Sequence, residues 1–388
     1  MLLNGKVRSD SRVIKTIKSL SNFCKVDLYY INGNSDDKDI FNSNVRVFSY
    51  NKIDSLKSKI QKHSYFYNEY LFFVDFVISK NCKYDFIFSN DLPTLKPATI
   101  LKSKIGGKLI YDSHEIYIET INQFFPKKSN GIKKILFNFL INFMRRKGEA
   151  IERKLLKEVD YFITVCESLK TYFEEKYGYK GIKVVMNCPN KLPPISPNEI
   201  IDLKEKFGFQ KNDFLLLFQG NLGPGKDVDM IIEAMQFVDS DIRLGILGGG
   251  TLKSQLVNQV KELMLSEKVR FLDRVPSTDL YKYTKSADAG ITLKDNGINL
   301  NKKLGIATKF FEYIHAGIPL VSTRSIEIEI IANKYDICIL VDRNIDEIVN
   351  GINQLKLVNK EEQAEKTAKA SEVYNWQNQE VALLEIVK

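Results

Sequence analysis

Two rhythms alternate along this chain. Short runs rich in β-branched and aromatic residues recur, first as KVDLYYI, VRVFSY, YDFIFS, KLIYDS, YFITV and KVVMN, then as DFLLLFQG, DIRLGILG, KVRFLDR, AGITL, IPLVST and ICILV. Between them lie longer stretches whose apolar residues return at helical spacing. Apolar strands separated by helices predict parallel sheets with crossover helices, since a parallel strand is covered on both faces. A loop rich in Pro and Asn, NCPNKLPPISPN, breaks the alternation near residues 188–198, and the pattern then restarts. Two α/β halves are expected, each a doubly wound sheet with ligands at the carboxyl ends of its strands, facing one another across a cleft.

Length and composition agree. The 388 residues suit two or three domains, and a hydrophobic content of 44% supplies two ordinary cores. The formal net charge of +9 suits phosphates or acidic lipid, and equally a lysine-rich composition with no particular partner. No nucleic-acid reading module accompanies it, so nucleic acid is not an expected partner. The five cysteines are scattered and none forms C-x-x-C, which argues against a disulfide scaffold or zinc site and fits a reducing cytosol. Only His63, His114 and His315 are present, too few for a histidine-rich metal centre. MLLNGKVRSD has no long apolar region, so no signal peptide is expected, and no run of about 18 apolar residues marks a spanning helix.

Three segments carry candidate chemistry. In ATKFFEYIHAGIPLVST, Thr308 is placed to cap a helix that starts at Lys309 and stops at Gly317. The free amides at its start make an anion site, and Lys309 and Glu312 share one face there. A carboxylate so placed can accept from a ribose diol while lysine and amides hold a diphosphate; an ordinary surface Lys–Glu pair has the same spacing. In LLLFQGNLGPGKDVDMIIEAM a strand enters a glycine turn, where Gly220, Gly223 and Gly225 admit an anion and Lys226 adds charge. Asp227 replaces the hydroxyl of a Walker A loop, which argues against an ATP-binding P-loop. In KLIYDSHEIYIE the strand is expected to end at Tyr111, leaving Asp112, Ser113, His114 and Glu115 at its carboxyl end. A neutral His114 imidazole could bond a sugar hydroxyl or leaving phosphate, and Glu115 could act there or cap the next helix.

These segments, in this order, resemble the family-4 retaining glycosyltransferases. The first resembles K-x-x-E-Y-x-x-x-G-x-P-V, with Leu320 at the last position, and the second resembles G-x-L-x-x-x-[KR]-G-[LV]-x-x-[LI]-I-x-A, with Asp227 at the second glycine; D-S-H-E is shared outright. Asn90-Asp91 resembles the family's H-D; VDYFITVCES, VVMNCPN, LGILGGGTLKSQL, VRFLDRVP and YNWQNQEVALLEIVK resemble further family segments. The departures are Leu304 where a glutamate is common, Asn221 where arginine is common, Ala307 where a subgroup has proline beside the matching Asn301, and a first strand reduced to MLLN.

The resemblance implies a GT-B fold of two Rossmann-like domains: 1–193 on the acceptor side, 194–370 binding the nucleotide-sugar, and 371–388 a helix crossing back. It implies a retaining, metal-independent hexosyl transfer from a UDP- or GDP-linked sugar to a glycan or lipid-linked acceptor in bacterial surface polysaccharide synthesis, with no cofactor. His114, Lys226 and Glu312 are the expected catalytic residues. Gly220, Asn221, Gly223, Lys226, Arg274, Val275, Asn301, Thr308, Lys309 and Glu312 are expected around the donor, and Asp91, Asp112 and Glu115 on the acceptor side. A catalytically weak binding subunit, motivated by Leu304 and Asn221, and a sugar-nucleotide epimerase are the alternatives.

One segment adds a partner. Ile135 to Met144 holds only two polar residues, Asn138 and Asn142, between Lys127, Lys128, Lys133 and Lys134 on one side and Arg145, Arg146 and Lys147 on the other. This pattern suits either a buried helix with solvated ends or a helix lying on anionic lipid. In the second reading Lys133, Lys134, Phe139, Phe143, Arg145 and Arg146 touch the membrane, and the protein is cytoplasmic and peripheral on the inner face of the cell membrane.

Overall fold

The computed structural model describes residues 1–31, 35–50, 69–124, 132–191, 193–294 and 299–388. His63, Lys127 and Lys128 lie outside this set. The chain forms two compact units, one of Met1–Asn187 with Gln379–Lys388, the other of Cys188–Asn378. Each is built on one parallel sheet.

The first sheet contains β1 (Leu2–Asn4), β2 (Val26–Ile31), β3 (Val45–Tyr50), β4 (Phe86–Asn90), β5 (Lys108–Ser113), β6 (Tyr161–Thr164) and β7 (Lys183–Val184). Its spatial order is β3-β2-β1-β4-β5-β6-β7. The second contains β8 (Phe214–Asn221), β9 (Ile242–Gly249), β10 (Val269–Leu272), β11 (Ala289–Thr292), β12 (Leu320–Thr323) and β13 (Cys338–Val341), ordered β10-β9-β8-β11-β12-β13. Each order turns about its first strand, at β1/β4 and at β8/β11. Such switch points splay the following loops apart and leave room for a ligand. Apolar strands lie between layers of helices as the alternation predicted: Leu215, Leu216, Leu217 and Phe218 of β8 are all fully buried.

Three boundaries differ from the sequence expectation. The units part at Asn187/Cys188, ahead of the expected 193/194. The start of the Pro-rich loop packs into the second unit: Cys188 is fully buried and Pro189 accepts the Trp376 N–H at 2.8 Å. At the other end the first unit resumes at Gln379, not 371; Gln379 Oε1 accepts the Met186 N–H (2.9 Å) and Glu380 bonds Ser19. Third, β5 runs two residues past Tyr111, because Asp112 and Ser113 keep their register with Ile163 and Thr164.

Candidate functional site

In the second unit the expected residues gather at the carboxyl ends of β8 and β11 and the helix Thr308–Ala316. That helix starts at Thr308 itself; Ala307 is its N-cap and no side chain caps it, so the first amides are left to another acceptor. Gly317, at φ 76, closes it as expected. Glu312 is oriented by a buried chain of amides and hydroxyls. Gln219 Nε2 donates to Glu312 Oε2 at 2.6 Å, and Thr284 Oγ1 donates to Gln219 Oε1 at 2.8 Å. Tyr313, fully buried, donates to the Leu217 carbonyl at 2.9 Å and fixes the helix on the sheet. Gln219 and Thr284 were not singled out in the sequence. Each is 1% exposed, and the one hint was a polar Gln inside the apolar run LLLFQG.

The glycine turn brings cations to the same edge. Gly220 has φ +122, a conformation side chains rarely adopt, and a Cβ there would stand 3.5 Å from Lys309 Nζ. Lys309 Nζ lies 3.5 Å from the Phe218 ring centroid. Burial first, then repulsion from Lys226, pushes the Lys309 ammonium well below its ordinary pKa against the pull of Glu312. Such a site is short of negative charge, which a diphosphate would supply. Gly225 packs against Lys302, whose Cε would stand 2.8 Å from a Cβ at that position. At Gly223 a Cβ would stand 2.8 Å from Asn221 Nδ2. Asp227 turns away from the turn into an ion pair with Arg343, at 2.7 Å.

The remaining donor-side expectations fall nearby. Asn301 lies in the short helix Leu300–Leu304, with its amide on Asn299 Oδ1 (3.0 Å). Leu304 closes that helix and is buried, so this position, where the family resemblance has a glutamate, offers an apolar side chain to the core. Arg274 and half-buried Val275 follow β10.

The first unit holds a separate charged cluster at the ends of β4 and β5. Arg12, 2% exposed on the helix Ser11–Ser21, clasps Asp112 with two bonds, Nε to Oδ2 at 3.0 Å and Nη2 to Oδ1 at 2.6 Å. Its Nη1 donates to the Val185 carbonyl. Asp91, at φ 58, takes the His114 N–H on Oδ1 at 2.8 Å. His114 Nδ1 is 3.4 Å from Asp91 Oδ2 and Nε2 is 3.3 Å from Asp112 Oδ2. Burial alone would lower the imidazole pKa, but Asp91 and then Asp112 outweigh it and raise it to about 9. At neutral pH His114 is therefore an imidazolium, not the neutral ring expected from the sequence. Its chemistry is that of a donor. Asp112 is held down at about 2 against its burial, chiefly by Arg12 and then His114, while burial raises Asp91. The backbone carbonyl of Glu115 accepts from Ser113 Oγ (2.8 Å), and a 3-10 turn, Tyr117–Phe124, follows. Arg12 carried no assigned role in the sequence. Among the described residues no group of three His, Cys, Asp or Glu side chains is arranged to hold a metal ion.

The apolar–basic segment is part of one helix, Ile132–Leu155. Phe137, Ile141, Met144 and Gly148 face inward to differing degrees. Ile135, Leu136, Phe139, Leu140 and Phe143 are exposed on the other side, Phe139 to 70%. This is not a buried crossover helix with solvated ends. Arg146 and Lys147 are exposed beside the stripe. Arg145 is not a surface contact: its guanidinium pairs with Glu119 at 2.8 Å, on the inward side of the helix. Lys133 and Lys134 belong to the helix, but their side chains lie outside the described set. Among the described residues no helix is long and apolar enough to cross a membrane.

Comparison with known proteins finds similarity to glycosyltransferases in both sequence and fold. Residues 199–373 match the family model of the glycosyl transferases group 1. A chitobiosyldiphosphodolichol beta-mannosyltransferase of Kluyveromyces lactis is 23% identical over 293 residues, 69% of this chain and 60% of that protein. A stretch of 87 residues is 40% identical to an N-acetylgalactosamine-N,N'-diacetylbacillosaminyl-diphospho-undecaprenol 4-alpha-N-acetylgalactosaminyltransferase of Campylobacter jejuni, covering 22% of this chain and 20% of the relative. The chain spans 60%, 47% and 60% of the length of the first three curated relatives it matches. HepE of Anabaena, solved with UDP and glucose, superimposes over 100% of this chain and 98% of its own with a TM-score of 0.73 at 17% identity. The fold is thus the GT-B fold.

Proposed function

From a chain whose residues 199–373 match the glycosyl transferases group 1, we propose a retaining glycosyltransferase that moves a hexosyl group from a UDP- or GDP-sugar to a lipid-linked glycan. The observation that carries this reading is Glu312, aimed by Gln219 and Thr284 beside Lys309, whose charge is disfavoured by burial and by the neighbouring Lys226. That arrangement suits a ribose diol next to a diphosphate. Lys226, Lys309 and the uncapped amides of Thr308–Ala316 take the negative charge of the departing nucleoside diphosphate. The bond from the anomeric carbon to the phosphate oxygen breaks, the acceptor oxygen bonds on the same face, and its proton passes to a phosphate oxygen. No metal is required in this scheme, and we assign His114, as an imidazolium donor, to a sugar hydroxyl or the leaving phosphate.

Incubation with UDP- and GDP-hexoses, with proton NMR of the anomeric centre, tests this reading. Slow donor hydrolysis, or transfer with retained configuration, is expected. The names of the two relatives carry one beta and one alpha linkage, so the anomer formed decides the stereochemical course. A protein that binds donors without turning any over would be a binding subunit instead.

We assign the exposed face of Ile132–Leu155 to an anionic membrane surface, on the cytoplasmic side where polysaccharide precursors are assembled. Five exposed apolar side chains in one stripe, with Arg146 and Lys147 alongside, match an interfacial helix. Both relatives named above act, by their names, on polyprenol-diphosphate glycans. The protein should cosediment with vesicles containing anionic lipid and be released by salt, since each cation near such a surface adds on the order of 1 kcal/mol. Phe139→Ser with Phe143→Ser should abolish binding, whereas Arg146→Gln should only weaken it. Indifference of the wild-type protein to anionic vesicles at low salt would point to a soluble acceptor.

A further inference from the structure

Asn221 stands where the family resemblance has arginine, yet a guanidinium is found at that point. Arg274, in the loop after β10, donates from Nη2 to Asn221 Oδ1 at 2.8 Å. Nη2 and Nε also donate to the Gly249 carbonyl, at 2.6 and 3.2 Å. Asn221 and Gly249 are register partners at the ends of β8 and β9, so one side chain is clipped to two adjacent strand ends. Two different acceptors hold one edge of the guanidinium fork, which fixes its plane. The side chain is exposed, and among the described residues Nη1 meets no protein acceptor.

Position 221 follows Gly220, against which Lys309 packs, and precedes Gly225, against which Lys302 packs. The guanidinium thus stands on the same glycine turn as these lysines. Unlike Lys309, whose charge is suppressed by burial, an arginine remains charged in any surroundings. Its open N–H groups suit the planar, two-oxygen approach of a phosphate.

We propose that Arg274 supplies the second cation of the donor diphosphate site, and that Asn221 is a positioning residue that holds it in place of the arginine it replaces. The cation has moved from the turn itself to a neighbouring loop, and the asparagine is the clip that makes the exchange work. This inference rests on the nucleotide-sugar reading of the second unit. It assigns Arg274, expected from the sequence only somewhere around the donor, to the diphosphate.

The test is calorimetric titration of the full chain with UDP, GDP, UMP and GMP. Arg274 is on the surface, so Arg274→Ala should melt as the wild type does; Arg274→Lys, which keeps charge without the fork, provides a second variant. Arg274→Ala should weaken the tighter diphosphate by about tenfold or more and the matching monophosphate by less than about threefold. The double variant Asn221→Arg/Arg274→Ala should regain most of the lost affinity, because the cation is restored at the turn. A merely structural role for Arg274 would not be rescued this way. Unchanged diphosphate affinity in Arg274→Ala, equal losses for diphosphate and monophosphate, or failure of the double variant to recover would each overturn the assignment. If the wild-type chain binds neither UDP nor GDP, the nucleotide-sugar reading fails and this inference fails with it.

Discussion

Glu312→Ala should lower the affinity for the preferred nucleoside diphosphate by about 1.5–3 kcal/mol, some 10- to 150-fold, the value of hydrogen bonds to a charged group. The carboxylate is poised before any ligand arrives: Gln219 donates to one oxygen, Thr284 fixes the Gln219 amide, and Tyr313 pins to β8 the helix that carries Glu312. A ribose diol then meets an acceptor that needs no reorganisation. Removing it also leaves the buried Gln219 amide without its partner, yet the half-buried Glu312 is not itself a core residue. Melting should therefore shift far less than binding. Glu312→Gln should keep the shape and lose most of the affinity. Equal affinities of wild type and Glu312→Ala for UDP and GDP, by calorimetry, would remove Glu312 from the donor site.

Twelve of the thirteen strands are legible because each is a short apolar run with a turn signal at its end, and each overlaps its predicted run; β1, only three residues long, shows through the family resemblance alone. The cation-rich edge of the second sheet is legible for a related reason. A glycine turn and a helix start are local features, so Gly220, Lys226, Lys309 and Glu312 could be placed from neighbours in the chain. What the sequence did not show is pairing at long range. Nothing local ties Arg12 to Asp112, Gln219 to Glu312 and Thr284, or Arg274 to Asn221. The charge of His114 escapes the sequence for the same reason: the carboxylates of Asp91 and Asp112, with Asp10 slightly farther off, converge on its ring only in the fold. Likewise Arg145 reads as one cation in a basic cluster, and only folding aims it inward at Glu119.

Arg12→Met should be the most damaging single change in the first unit, costing roughly 3–5 kcal/mol, as when one partner of a buried ion pair is removed. Arg12 and Asp112 side chains are 3% and 2% exposed, so water cannot replace the lost guanidinium. The Val185 carbonyl loses its donor as well, which loosens the segment beyond β7. Peptide-resolved amide hydrogen exchange is the suitable measurement, because two units need not unfold together and the lone tryptophan, Trp376, reports on the other one. Exchange across Ile110–Ser113 should speed up by about two to three orders of magnitude, while β8 and β9 keep their protection. The comparison belongs near pH 6, where His114 is fully charged: its raised pKa contributes stability below its unfolded value that is lost as pH rises through about 9. Asp112 has the opposite sign. Its depressed pKa contributes stability above its unfolded value that is lost as pH falls toward about 2. The gap between Arg12→Met and wild type should therefore narrow in acid, because the orphaned carboxyl relieves itself by taking up a proton. Adding Asp112→Asn to Arg12→Met should recover part of the protection at pH 6 by the same logic, since the uncompensated charge is gone. If protection of β5 is unchanged in the single variant, the pair is not what secures the strand end that carries His114.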